Sequence, residues 1–313
     1  MFKSDLIGRC AVISSVVLLT ACGGGGSGSG GDNSPASPLA YDSAGYASKA
    51  VEISANTNVD SINQIFGDLE AAFGLIADVQ EALWNLSGPD SGTFNCNVGG
   101  TATVNFAGSG MSEDETWSFD NCVLTIDANG DVLLNGNYRY VDNFIGETET
   151  TVSWKGYETY NITGELKASG EPIAIKGRAD WDQLIAYDSS VDSEREIDTI
   201  GAFEYKIGNR YVAVTDNVLS FEGTDSDATY SITGKLIGSA IGGYIQVTTP
   251  TPLALSAGSC PTEGVIRIAS DGAAEVRYGS SAGGTASAVA VWIDGQVVES
   301  YADCSSAGFA PVY

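Results

Sequence analysis

The stretch Tyr160-Asn161-Ile162-Thr163-Gly164-Glu165-Leu166 decides the fold. Its large apolar residues alternate with polar ones, so the period is two, the mark of a strand with one buried face. It returns as Tyr230-Ser231-Ile232-Thr233-Gly234-Lys235-Leu236, and Asp120-Asn121-Cys122-Val123-Leu124 has an echo in Asp216-Asn217-Val218-Leu219. Such echoes read as a duplicated hairpin unit in a long meander, with spacing too irregular for a solenoid.

Outward from this stretch the period of two holds from Thr93 onward. Predicted strands are Thr101–Phe106, Thr116–Ile126, Val132–Val141, Glu149–Trp154, Tyr157–Ala168, Ile173–Trp181, Ile200–Ile207, Arg210–Val214, Leu219–Glu222, Ala228–Ile237 and Gly243–Thr248. Gly264–Ala269, Ala274–Tyr278, Ala288–Ile293 and Gln296–Tyr301 follow, after a bend or edge at Pro250 and Pro252. No helical period intervenes, so the connections are hairpins and the sheet antiparallel. About 14 strands is more than a flat open sheet tolerates, so twist should make it curl, close or split.

Upstream, Ile62, Ile65, Phe66, Leu69, Phe73, Ile76, Val79, Leu83 and Leu86 recur at three- and four-residue steps, one stripe of a helix. Asn58 or Asp60 can cap its start and Gly88-Pro89 ends it. Ala47, Ala50, Val51 and Ile53 suggest a shorter helix before it. A stripe this long needs cover, by default the protein's own sheet. The expected fold is mainly β: a long antiparallel meander forming a curved sheet or incomplete barrel, with the N-terminal helical segment packed on it. A two-sheet sandwich is the alternative.

Leu19-Thr20-Ala21-Cys22 closes an apolar run, Ala11 to Leu19, that follows Lys3 and Arg9. This is the layout of a secretory signal. The cysteine after Leu-Thr-Ala resembles a bacterial lipobox, which implies cleavage before Cys22 and its modification by diacylglycerol and palmitate. Gly23, in place of an Asp, favours the outer membrane under the same resemblance. The chain thus divides into a signal peptide (1–21), a Gly/Ser-rich tether (22–40), a helical segment (41–88) and a β body (89–313) that forms one domain with it.

Without residues 1–21 the chain has 12 basic and 39 acidic residues, a net of −27. Such a charge repels nucleic acid and anionic lipid, so nucleic-acid binding is excluded and the membrane is engaged through acyl chains. There is no histidine, so Ser-His-Asp and Cys-His mechanisms cannot be assembled. Beyond Cys10 and Cys22, four cysteines remain: Cys96, Cys122, Cys260 and Cys304. In an oxidising compartment they read as disulfides with three possible connectivities, of which the local pairing Cys96–Cys122 and Cys260–Cys304 is preferred.

The order Cys96…Gly99-Gly100, Phe119-Asp120-Asn121-Cys122, Asn135-Gly136, Thr248-Thr249-Pro250, Pro261…Gly264 resembles a broad set of proteobacterial outer-membrane lipoproteins. The resemblance covers most of the mature chain. That set has no assigned activity, so no site residues carry over.

Candidates for chemistry are few. Gly279-Ser280-Ser281-Ala282-Gly283 matches Gly-x-Ser-x-Gly but has no base, so it reads as a turn. Asp127, Asn129 and Asp131 have the spacing of a calcium-loop start, yet Tyr138 stands where the loop needs a glutamate, so the stretch reads as a β-turn, with Ca2+ binding as the alternative. Asp188, Asp192, Glu194 and Glu196 read as a solvated hairpin tip. Trp117, Trp154, Trp181 and Trp292 are available to stack on sugars, although core or cross-strand packing is the commoner use.

The expected role is therefore a non-catalytic one in binding or envelope structure, on an outer-membrane-anchored lipoprotein whose membrane face is left open. Its partner would be an apolar ligand or an envelope protein, met by a concave face gated by the helix, with Phe66, Phe73 and Leu83 as candidate binding residues. A carbohydrate-binding or carbohydrate-acting surface lipoprotein is the alternative.

Overall fold

The computed structural model describes residues 39–54, 59–87, 91–126, 130–187, 193–224, 227–256, 260–284 and 288–304. One helix, α1 (Val59–Ser87), precedes the strands. The first seven strands are β1 (Gly92–Asn95), β2 (Gly99–Phe106), β3 (Glu113–Ile126), β4 (Gly130–Glu147), β5 (Thr151–Leu166), β6 (Glu171–Ala186) and β7 (Ser193–Ile207). They continue as β8 (Arg210–Gly223), β9 (Asp227–Gly238), β10 (Gly243–Ser256), β11 (Glu263–Ser270), β12 (Gly272–Gly279), β13 (Val289–Ile293) and β14 (Gln296–Tyr301). Among the described residues these fourteen strands form one antiparallel sheet in sequence order, with β1 and β14 at its two edges. Among the described residues the sheet is not closed, and there is no second sheet to make a sandwich. No helix among the described residues is long and apolar enough to cross a membrane.

The strands run longer than their sequence signals. Glu149–Trp154 and Tyr157–Ala168 fuse into β5 through Lys155 and Gly156, which pair with β6, and Arg210–Val214 and Leu219–Glu222 fuse into β8 across a register shift between Thr215 and Val218. Pro250 and Pro252 lie inside β10, where the register to β11 shifts on either side of Thr251. Strand β1, only four residues long, is not among the predicted strands, although the period of two begins at Thr93 within it. The Asp120-Asn121 and Asp216-Asn217 echo marks two bulges: Asn121 has φ 48°, Asp216 has φ 51°, and register shifts sit at both.

Inner-facing residues form a single core cluster that runs from Ala102 on β2 to Ile293 on β13. A helix is about 10 Å across, while fourteen strands about 4.8 Å apart would span roughly 60 Å if flat. One helix cannot cover that face, so the burial requires the sheet to curl over itself.

Both disulfides form, Cys96–Cys122 and Cys260–Cys304, with Cα separations of 5.4 and 5.7 Å. The first ties the end of β1 to β3, and the second ties the segment after β14 to the start of β11, so each secures one edge region.

Residues 39–54 are not a short helix. Apart from a 3-10 turn at Tyr46–Ser48 they run as a strap over the outer wall, bridging at Ala50 to Tyr244 and at Glu52 to Asp271. The Glu204 carboxylate accepts the N–H groups of Ala40 and Tyr41 at 2.6 and 2.8 Å. Lys235 donates to the Ala47 carbonyl at 2.6 Å and sits over the Tyr244 ring. Leu39, Tyr41, Tyr46 and Ala47 cover Tyr211, Ala213 and Ile237. The strand-like β-branched pair Val51 and Ile53 suits this extended course.

The repeated Ile-Thr-Gly has one physical cause in both copies. A Cβ at Gly164 would meet the Leu133 carbonyl oxygen at 1.7 Å, and one at Gly234 would meet Asn217 at 2.7 Å. Gly164→Ala should lower Tm by about 6–12 °C, the equivalent of ~3 kcal/mol, in a thermal melt followed by circular dichroism. Gly146→Ala, with nothing within 4 Å of the added carbon, should leave Tm within about 2 °C of wild type.

Candidate functional site

The inner face carries two chemistries. Toward the hairpins that join β3–β4 and β5–β6 it is apolar: Phe119, Leu134, Tyr160, Ile162 and Ile175 meet Leu75, Ile76, Val79 and Leu83 of α1 around a cavity of about 10 Å3. That is room for about one water and for no ligand. Of the expected binding residues, Leu83 is buried here. Phe66 and Phe73 lie in α1, but their side chains are outside the described residues.

Toward the opposite rim the same face turns acidic and aromatic. Register places Glu113, Glu115 and Trp117 of β3 beside Asp142, Tyr140 and Tyr138 of β4. Tyr140 and Asp142 lie beside Glu158 and Gly156 of β5, and Gly156 beside Trp181 of β6. Trp181 and Gln183 lie beside Asp198 and Glu196 of β7. Alternation puts Glu194, Glu196 and Asp198 on the face of buried Ile200. The six basic residues of these strands, Arg139, Lys155, Lys176, Arg178, Arg195 and Lys206, all take the other parity and point outward. Three of them pair there: Arg139 with Asp114 at 2.7 Å, Lys155 with Asp182 at 2.8 Å and Arg178 with Asp180 at 2.5 Å.

Two glutamates expected at a solvated hairpin tip thus stand on the inner face, Glu194 half-buried and Glu196 buried. Glu194 and Glu196 belong to β7, and Glu196 is 5% exposed. The Gln183 amide donates to Glu194. Glu196 and Asp198 are hydrogen-bonded to each other, so at least one holds a proton. Burial first, then repulsion from Asp198 and Glu194, pushes the Glu196 carboxyl up to about 10. Burial likewise holds Asp198 well above the usual carboxylate range. One oxygen of each, Glu196 Oε1 and Asp198 Oδ1, has no hydrogen-bond partner among the described residues.

Glu158 joins the two zones. Tyr138 Oη donates to Glu158 Oε1 at 3.0 Å, and Gln80 Nε2 of α1 lies 3.1 Å from that oxygen and 2.6 Å from Tyr138 Oη. Burial raises Glu158 to about 7 against these hydrogen bonds, which favour its charged form. Asp142 rises to about 6, again by burial, against the Trp181 indole N–H. Trp181 lies across β5 where Gly156 leaves room: a Cβ there would meet the indole at 2.3 Å. The indole stacks on Tyr140 with ring centroids 5.2 Å apart.

The other sequence candidates do not converge on this face. Asp127 and Asn129 lie outside the described residues; Asp131 accepts a hydrogen bond from Thr125 at 2.6 Å. Among the described residues no three acidic or cysteine side chains are arranged to hold a metal ion. Ser280–Ala282 form a short turn after β12, and Ser281 Oγ accepts from the Gly264 N–H. Trp117 and Trp181 are 1% and 2% exposed, spent on packing rather than offered to a sugar. Asp188 and Asp192, like Cys22, are outside the described residues. The chain matches no protein-family model, no curated protein and no solved structure.

These carboxyls give stability a definite pH dependence. Between their unfolded values, near 4, and their raised folded values the native state holds protons that the unfolded state has lost, so stability falls as pH rises. The fall should run from about pH 5 upward through 7 for Glu158 and on toward 10 for Glu196. Surface repulsion acts in the same direction, so the diagnostic is Glu196→Gln. It should raise Tm at pH 8 by about 4 °C, or ~1–2 kcal/mol, and leave Tm at pH 5 nearly unchanged.

Proposed function

We propose that the protein is an outer-membrane lipoprotein, anchored through acylated Cys22, with a non-catalytic role: a curled β trough that takes an apolar ligand in exchange for its own helix. The observation that carries this reading is the match between the apolar inner face and the stripe Leu75, Ile76, Val79 and Leu83, which leaves about 10 Å3 between them. In this reading α1 packs along the trough as a unit and occupies the ligand's place when no ligand is bound. An envelope-structural role is what remains if the helix never leaves.

Two features favour a helix that leaves. Gly67 and Gly74 sit in α1, exposed, with nothing within 4 Å of an added Cβ, so no packing explains them. Each costs the helix about 1 kcal/mol relative to alanine. The strap also pins the chain to the outer wall from Ala40 onward, so tension from the anchor falls on the strap and not on α1.

The double variant Gly67→Ala/Gly74→Ala should raise Tm and weaken saturable binding of the neutral probe diphenylhexatriene about tenfold or more, ~2 kcal/mol of added helix stability working against exchange. Unchanged probe affinity, or no saturable binding by wild type, would remove the gated-trough reading. The anchor is tested separately: cells fed radiolabelled palmitate should label wild type in the membrane fraction, and Cys22→Ala should be unlabelled.

A further inference from the structure

The apolar trough runs into a rim of one charge sign. On the inner face of β3 to β7 the acidic side chains have no basic residue among them, and all six cations of these strands are turned outward. Chance orientation of acids does not account for that split. An outward acid would be hydrated and an outward-facing cation row needs no inward counterpart, yet the protein buries Glu158, Glu196 and Asp198 at 8%, 5% and 4% exposure with no basic residue beside them on that face. Burying carboxyls without a cation is costly, and groups that keep such a cost are found at functional sites. Glu196 Oε1 and Asp198 Oδ1 are left without a partner, two acceptors deep in the wall.

The helix shows what fits there. Gln80 is the polar residue in a stripe of apolar ones, and its amide nitrogen lies between Tyr138 Oη and Glu158 Oε1 at 2.6 and 3.1 Å. A nitrogen donor therefore already occupies the junction of the apolar and acidic zones, attached to a set of alkyl side chains. Next to it the stacked pair Tyr140 and Trp181 offers aromatic surface of the kind that attracts an organic cation.

We infer that the trough's ligand is a cationic amphiphile, an alkyl chain ending in a protonated amine. Its chain takes the place of Leu75, Ile76, Val79 and Leu83, and its ammonium takes the place of the Gln80 amide against Glu158, with Glu196 and Asp198 beyond. A bare metal ion is the poorer fit, because no three of the described carboxylates converge on one point. A fatty acid would bring a second negative charge to a wall that already shares protons to limit its own. The inference rests on the gated-trough reading and adds the sign of the headgroup to it.

The test is competition against diphenylhexatriene bound to the mature, full-length protein, in 0.15 M salt to screen the acidic surface, where the screening length is about 8 Å. Dodecylamine, dodecanol and dodecanoate are compared below their micellar concentrations. Dodecylamine should displace the probe at concentrations at least tenfold below dodecanol, and dodecanoate should be the weakest. Glu158→Gln should bring dodecylamine to the level of dodecanol, each read relative to the probe's own affinity for that variant. Asp198→Asn, one strand beyond the Trp181 wall, gives a second reading if the first variant melts early. Probe binding without amine preference, a preference for dodecanoate, or an amine preference that survives both variants overturns this inference and leaves the trough reading standing. No saturable probe binding at all overturns both.

Discussion

Each strand here pairs only with its neighbours in sequence, and the apolar row it presents inward must be taken out of water. Burying one side chain such as Leu or Ile contributes about 1.5–3 kcal/mol, and the continuous core holds dozens of them. A meander of this width has no second sheet to lean on. Curling over itself is the remaining way to cover most of the row, with the helical stripe and the strap's Ile53 as further apolar surface among the described elements. Bulges at Asn121 and Asp216 supply local bends along the way.

A sheet that curls without closing keeps two edges, which are liabilities for pairing with other chains. The disulfides act near these edges: Cys96–Cys122 holds short β1 to β3, and Cys260–Cys304 holds the segment after β14 to the turn before β11. The strap does comparable work on the outside. Glu204, on the outward parity of β7, is 3% exposed because the strap lies over it, and Ala40 and Tyr41 give it their N–H groups. A buried carboxylate satisfied by backbone donors contrasts with Glu196 and Asp198, which share protons for want of any donor.

That contrast separates the acids of the outer wall from those of the inner one. On the outer wall Asp114, Asp180 and Asp182 are each matched by a cation within salt-bridge distance. On the inner wall Glu158 is met by neutral donors only, one of them from α1. Neutral donors can be exchanged for a charged one with a gain, whereas a salt bridge already in place cannot. The chemistry of the inner rim thus follows from which side of β3 to β7 the cations took.

The strand-and-turn grammar from Thr93 onward, the antiparallel pairing and the local disulfides were legible in the residues themselves, because a period of two, hairpin turns and short cysteine separations are local properties. The inward acids were not. Along Glu194-Arg195-Glu196-Ile197-Asp198-Thr199-Ile200 a parity count from Ile200 would have turned the three acids inward, but Ile197 argues equally for the other face, and a run of charge reads as solvent-facing. Only pairing with β6 and β8 settles which parity is buried. The strap was hidden for the same reason: Val51 and Ile53 find their partners more than two hundred residues away, at Ser270 and Asp271. By itself the chain's sequence determined the strands and their neighbours; the tertiary structure decided which face each polar residue shows, because a strand's two faces are chemically equivalent until something covers one of them.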